Sequence, residues 1–191
     1  MTLTKTSLRT VTLVSALAIL ASCGQRYRSA PRPDPQALEC MTRAMYFESN
    51  RSSRDGMIGV GTVVMNRVAS DDFPDTVCGV VSQKNQFAPG VMTRPMTDRG
   101  LPLALESARA VLQGERHPLI TKGRFFHAAY YVANYNNIHY VATAGGNAFY
   151  EKRRPELVTR RTPPTLSNSW STSTRRILVC VSNGMSAISS I

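Results

Sequence analysis

Two successive segments, residues 36–48 and 55–68, carry apolar side chains at the three- and four-residue steps of a buried helix face. Asp34 and Pro35 suit the N-cap and the first position of the first helix. A polar run separates the segments and predicts a short turn. The apolar positions are Leu38, Cys40, Met41, Ala44, Met45 and Phe47 in the first helix, and Met57, Val60, Gly61, Val64 and Val68 in the second.

Beyond these helices, polar turns alternate with shorter patterned segments. A short helix and a longer amphipathic helix are predicted, and Gly114 suits the end of the longer one. Two further segments are rich in aromatic and β-forming residues, which predicts short strands or the wall of a cleft. The four segments are residues 75–82, 101–113, 124–132 and 147–151. With the tether excluded, the stretch that ends at Glu151 is long enough for one domain with one hydrophobic core.

The N-terminus has the pattern of an export signal. Lys5 and Arg9 precede an apolar run at residues 11–20, which is too short to span a bilayer. The tetrad Leu-Ala-Ser-Cys ending at Cys23 resembles a bacterial lipobox, which implies cleavage before Cys23 and lipid attachment to its sulfur. Gly24 is not the aspartate associated with inner-membrane retention, so the expected location is the outer membrane, facing the periplasm. The alternative is an ordinary secretory signal with an incidental cysteine.

The composition divides the chain into four parts. We expect a signal peptide at residues 1–22, a proline- and arginine-rich tether at 23–35, the folded domain at 36–151, and a basic tail at 152–191. The tail is rich in arginine, proline, serine and threonine, which predicts disorder.

Glu48 is the candidate catalytic residue, because it ends the first helix just after Tyr46 and Phe47. A carboxyl group in an apolar pocket stays protonated near neutral pH and can donate a proton to a leaving oxygen. The alternative is a solvated helix end, as for most acids. Glu39 lies nine residues away and points to the opposite helix face, so the two cannot form a carboxylate dyad.

Six motifs resemble, in order and spacing, the SleB-like cell-wall hydrolases of the spore-cortex-lytic-enzyme type. The resemblance implies a mainly α, lysozyme-like (α+β) domain that cleaves peptidoglycan glycan strands, usually as a lytic transglycosylase. It places the glutamate of the family's Y-x-E motif on Glu48 and its tyrosine on Tyr46. The motifs are CMTRAMYFES, GMIGVGTVVMNRV, FPDTVCGVVSQKNQFAPG, AVLQGE, FFHAAYYV and GGNAFY.

Four more residues are candidate contacts to the glycan. Gln86 and Phe87 match the family's Q-F element, which the resemblance places near the glycan groove. His127 and Tyr150 combine aromatic faces with polar tips, and sugars are commonly held by such groups. A structural role is at least as plausible for each of them.

Two departures from the family pattern keep other functions open. The family continues its glutamate as E-A-R-G-E, whereas residues 48–52 of this chain read Glu-Ser-Asn-Arg-Ser, and the family's proline and tryptophan after the Y-V element are absent. A non-catalytic, lipid-anchored peptidoglycan-binding protein is therefore one alternative. A hydrolytic muramidase is another, although its second acid would have to come from Asp71, Asp72 or Asp75. No metal motif or cysteine nucleophile supports an amidase.

The cysteines lie at positions 23, 40, 78 and 180, with no C-x-x-C pair, which disfavours zinc. With Cys23 lipidated in an oxidising compartment, Cys40 and Cys78 are the expected disulfide and Cys180 is left over. Two buried free thiols are the alternative. No cofactor is expected.

The formal net charge of +11 falls to +9 without Lys5 and Arg9 of the signal. A strongly basic chain favours anionic partners. In the expected compartment these are peptidoglycan carboxylates, teichoic-type polymers and lipid head groups. Export and the lack of a nucleic-acid-binding motif argue against nucleic acid.

Overall fold

The computed structural model describes residues 31–49, 51 and 53–165. The expected signal peptide, Cys23, most of the tether, Cys180 and the last part of the tail lie outside these residues, as do Asn50 and Ser52 of the altered turn. The described chain forms helices α1 (Pro35–Glu48), α2 (Arg54–Val68), α3 (Val77–Val81) and α4 (Leu101–Leu112), and strands β1 (Phe125–Ala128), β2 (Ile138–Ala144) and β3 (Asn147–Lys152). Among the described residues, no helix is long and apolar enough to cross a membrane.

The first two helices begin and end close to the predicted positions. A side-chain cap fixes the start of each helix. The Asp34 side chain accepts a hydrogen bond from the Ala37 amide at 2.7 Å, with Pro35 following at the first helical position. The Ser53 hydroxyl accepts one from the Gly56 amide at 3.1 Å. Such caps satisfy backbone donors that the first turn of a helix leaves unpaired. The predicted helix pair is confirmed.

The hydrophobic core lies between the helices and the inner face of the sheet. Helix α1 packs against α2, α3 and α4, while α2 also contacts β1 and β2. The predicted apolar faces supply fully buried side chains from both long helices, among them Met41, Met45, Val60 and Val64. Burial of such faces supplies most of the stability of helices of this length.

A disulfide joins Cys40 in α1 to Cys78 in α3. It confirms the predicted pairing and fastens the helix that ends in Glu48 to the segment beyond α2. Cross-linking residues 38 positions apart restricts the unfolded chain, which stabilises the fold.

The sheet is antiparallel with strand order β1-β3-β2. Strand β1 lies within the first segment predicted to form a strand, and β3 covers the second and extends one residue beyond it, whereas the sequence does not predict β2. Six of the seven residues of β2 are buried, so both of its faces are covered and the alternation of polar and apolar positions is missing. Phe126 and Phe149 face the helices, and the outer face carries Phe125, His127 and Tyr150.

The described chain continues past Glu151, where the sequence places the end of the domain. Strand β3 includes Lys152, and a short 3₁₀ helix follows at Pro155–Leu157. The Tyr140 amide then donates to the Arg160 carbonyl at 3.1 Å. The first part of the expected basic tail therefore packs along β2.

Candidate functional site

Glu48 ends α1 with its carboxyl group half-buried. The backbone N–H of Ala88 donates a hydrogen bond to Oε1 of this carboxyl group. Burial raises the pKa of Glu48 above its ordinary value, and the Ala88 amide and the positive charge of Arg67 partly oppose that rise. The result is a carboxyl group that keeps its proton at a higher pH than an exposed glutamate. When it ionises, the Ala88 amide and the Arg67 charge stabilise the carboxylate.

Arg67 is the charged neighbour of Glu48, and only 3% of it is exposed. Its Nε donates to the Arg124 carbonyl at 2.8 Å, and its guanidinium lies 5.2 Å from the ring of Phe73 and 5.5 Å from that of Phe87. Among the described residues Nη1 has no hydrogen-bond partner. Burial lowers the pKa of Arg67 to about 10, so the side chain still carries its charge at neutral pH.

Arg67 was not among the predicted site residues, although the sequence contains a signal for it. It lies three residues after Val64, so it falls close to the apolar face of α2. A charged side chain among core positions is rare unless it is paired or functional. An arginine next to the apolar face of α2 is thus the sequence feature that could have identified Arg67 as a site residue.

The turn between β2 and β3 holds the end of α1 in place. The Asn147 side-chain amide donates to the Glu48 backbone carbonyl at 2.6 Å. Gly145 and Gly146 both have positive φ, and Gly145 lies against Gly56 so closely that a Cβ on Gly56 would come within 2.4 Å of the Gly145 Cα. Small residues on both sides thus let the hairpin touch the start of α2 and present Asn147 to Glu48.

A polar cleft of about 450 Å³ lies beside Arg67. Its polar lining includes Asn85, Gln86, Asn137 and Tyr150. Burial raises the pKa of Tyr150, so its phenol remains a hydrogen-bond donor at neutral pH. Amides and a phenol around a buried cation suit a ligand rich in hydroxyl and carbonyl groups.

The structure brings Gln86 and Tyr150 together in this cleft and gives packing roles to Tyr46 and Phe87. Tyr46 is 3% exposed, and its hydroxyl accepts a hydrogen bond from the Asp98 amide at 3.1 Å. Phe87 is 9% exposed and packs against Phe126. Both residues therefore contribute to packing, and their contact with the glycan stays a prediction.

His127 lies on the outer face of the sheet, next to Tyr150. Its Nδ1 is 2.8 Å from the Ala128 carbonyl and its Nε2 is 2.7 Å from the Tyr140 hydroxyl. Because a carbonyl only accepts, Nδ1 carries the proton and Nε2 accepts from Tyr140. Both ring nitrogens are thereby engaged within the protein.

The three aspartates that could supply a second acid are not among the groups that shift the pKa of Glu48. Asp72 forms an ion pair with Arg124 at 2.7 Å, and Asp71 and Asp75 are exposed. Within the part of the chain that the structure describes, the groups that oppose the burial effect on the pKa of Glu48 are the Ala88 amide and Arg67. Among the described residues there is also no cluster of three histidine, cysteine, aspartate or glutamate side chains that could hold a metal ion.

A family model described as Cell Wall Hydrolase matches residues 51–150. The match begins three residues after Glu48. Spore cortex-lytic enzymes of Bacillus cereus are 38% identical to this chain over 50 residues, which are 26% of this chain and 19% of the relatives. The chain thus spans about a fifth of the length of these curated relatives.

Two solved structures are similar in fold, each at 22% sequence identity. The catalytic domain of the germination-specific lytic transglycosylase SleB from Bacillus anthracis matches with a TM-score of 0.52, over 62% of this chain and 96% of that one. The catalytic domain of the Bacillus cereus SleB protein matches with a TM-score of 0.50, over 67% of this chain and 99% of that one. Because the family model covers more than half of the 191 residues, the chain belongs to the Cell Wall Hydrolase family.

Proposed function

We propose that this protein cleaves peptidoglycan glycan strands between N-acetylmuramic acid and N-acetylglucosamine, as a lytic transglycosylase. The observation that carries the proposal is the environment of Glu48: a half-buried carboxyl group with a raised pKa, held by the Ala88 amide beside the Arg67 charge. Family membership and the lytic transglycosylase named among the similar structures support the same reaction class.

In the first step Glu48 acts as a general acid. Burial raises the pKa of its carboxyl group and so favours the protonated form, which donates its proton to the glycosidic oxygen as the bond from C1 of the muramoyl residue to that oxygen breaks. The positive charge that develops at C1 is relieved in the second step.

In the second step the Glu48 carboxylate acts as a general base. It removes the proton of the muramoyl 6-hydroxyl, whose oxygen bonds to C1 and closes a 1,6-anhydro ring. The Ala88 N–H and the nearby Arg67 charge favour the ionised carboxylate that this step requires. The proton returns to Glu48, so one carboxyl group serves both steps and no outside nucleophile is used.

A hydrolytic muramidase is less well supported, because it normally uses two carboxyl groups about 5 to 9.5 Å apart. The three candidate aspartates are either exposed or, in Asp72, bound to Arg124. Among the described residues, no second carboxyl group contributes to the pKa shift of Glu48, which suits a reaction in which the substrate supplies the nucleophile.

Mass spectrometry of the soluble products tests the proposal. Purified protein lacking the signal, with Cys23 replaced by serine, is incubated with peptidoglycan sacculi. We expect muropeptides that end in 1,6-anhydro-muramic acid. Reducing ends would identify a muramidase instead, and binding to sacculi without soluble products would identify a peptidoglycan-binding protein.

We also propose that the mature protein is an outer-membrane lipoprotein facing the periplasm, with lipid on Cys23. The support is the signal-like sequence and the Leu-Ala-Ser-Cys tetrad. Replacing Cys23 by serine should move the protein from the outer-membrane fraction to the soluble periplasmic fraction. A variant that stays in the membrane fraction, or a wild-type mass without lipid, would contradict the proposal.

A further inference from the structure

A second cavity, of about 390 Å³, lies next to the polar cleft and has no role in the steps above. Lys122, Arg124 and Lys152 line it, with Glu151 as the one acid. Phe125 and Lys152 line both this cavity and the cleft. The two spaces therefore meet at the strand pair β1–β3, and a ligand in the cleft can extend into the basic cavity.

Two of the basic groups are available to a ligand. Glu151 forms an ion pair with Arg153, with 2.9 Å between Nη2 of the arginine and the Glu151 carboxylate. Arg124 forms an ion pair with Asp72 at 2.7 Å. Lys122 and Lys152 are exposed and form no ion pair among the described residues. The cavity consequently presents two unpaired positive charges.

The position of Lys152 is defined by its neighbours. Its Nζ lies 4.5 Å from the centre of the Phe125 ring, within the range of a cation–π contact. The same ring stacks on Tyr150, with 5.5 Å between the ring centres. A side chain resting on this stack holds its charge at the junction of cavity and cleft.

We propose that this basic cavity binds carboxylates of the stem peptide that is attached to the muramic acid residue. This inference rests on the proposed function, since it assumes a glycan strand in the cleft. The peptide branches from the same sugar whose 6-hydroxyl closes the anhydro ring, so its carboxylates lie beside the reacting sugar. The two unpaired lysines at the end of the cleft carry the opposite charge to these carboxylates and attract them. As a consequence, the protein prefers strands that carry peptides over bare strands.

Paired soluble substrates test this preference. Uncrosslinked glycan strands with tetrapeptides are compared with the same strands after an amidase has removed the peptides. We expect a kcat/KM roughly 2- to 30-fold higher on the peptide-bearing strands, the range for two exposed ion pairs. The double variant Lys122→Gln/Lys152→Gln should lose that advantage, because KM on the peptide-bearing strands rises and the two kcat/KM values become equal.

The control variant is Arg99→Gln/Arg109→Gln, which removes two positive charges from exposed positions outside both spaces. It should retain the preference for peptide-bearing strands. Equal rates of the wild type on both substrates, or the same loss for both double variants, would overturn the inference.

A binding measurement separates this inference from the proposed function. Calorimetric titration with a soluble muramoyl tetrapeptide should give an affinity that the lysine variant lowers and the control keeps, even if no strand is cleaved. Cleavage without peptide binding would overturn the inference and leave the function in place. Lysine-dependent binding to phosphatidylglycerol vesicles, with no peptide dependence of cleavage, would assign the cavity to lipid head groups and overturn it as well.

Discussion

Replacing Glu48 by glutamine is expected to lower the rate of strand cleavage by about 10²- to 10⁴-fold, the usual contribution of general acid–base catalysis. Glutamine keeps the size of the side chain and can accept the Ala88 hydrogen bond, but it has no proton to donate. The measurement is kcat for release of muropeptides from sacculi, together with binding to sacculi, which should persist.

The same variant should be at least as stable as the wild type at neutral pH. Burial raises the pKa of Glu48, so the folded state holds this proton more tightly than the unfolded state. The resulting stabilisation is present at low pH and is lost as pH rises through the pKa of the folded state, whereas glutamine never ionises. Loss of activity without loss of stability in urea unfolding would separate catalysis from a structural role.

Glu39→Gln is the matched control on the same helix. Glu39 points away from Glu48 and forms an exposed ion pair with Arg43 at 2.8 Å, so its loss should leave cleavage nearly unchanged. The activity of the wild type should also fall as pH rises through the raised pKa of Glu48, since the first step needs the protonated acid. Residual cleavage by Glu48→Gln at more than about a tenth of the wild-type rate would remove Glu48 from the mechanism.

Reducing the Cys40–Cys78 disulfide is expected to lower the free energy of unfolding by about 3 to 4 kcal/mol. The bond closes a segment with 38 positions between its ends, and opening it gives the unfolded chain more conformations. For a domain of this size the loss corresponds to a decrease in Tm of roughly 10 to 15 °C. Urea unfolding of oxidised and reduced wild-type protein measures it directly.

The double variant Cys40→Ala/Cys78→Ala should match the reduced protein and should not respond to reductant. Cys40 is 3% exposed, so the variant can be slightly less stable because the smaller side chain leaves space in the core. Coincident unfolding curves for oxidised and reduced wild type would contradict the expected contribution. An intact mass showing two free thiols would contradict the pairing itself.

The sequence predicts α1 and α2 well because each helix has two strong local signals, a capping residue at its start and a periodic apolar face. Asp34 and Ser53 cap the helices through contacts within three residues, and the apolar faces follow the helical period. Strand β2 carried no such signal, since burial on both faces removes the alternation by which strands are recognised. Tertiary burial alone identifies it.

The candidate site divides in a similar way. Glu48 and the disulfide partners could be named from the sequence, because a helix-end acid beside aromatics and the cysteine count are both local or compositional features. Gln86 and Tyr150 were named, and the fold brings them to one cleft. For Tyr46 and Phe87 the motif predicts a site near the glycan, but it does not reveal how deeply each ring is buried, which only the packing of the fold decides.

The sequence by itself thus determined the helix pair and the disulfide that fastens it, and it predicts Glu48, at the end of the first helix, as the catalytic acid. Only the tertiary structure decided what surrounds that acid. The Ala88 amide, Arg67 and Asn147 reach Glu48 from 40, 19 and 99 positions away along the chain. Contacts over such separations follow from the packing of the hairpin and loops onto the helices, and short-range patterns of polarity contain no information about them.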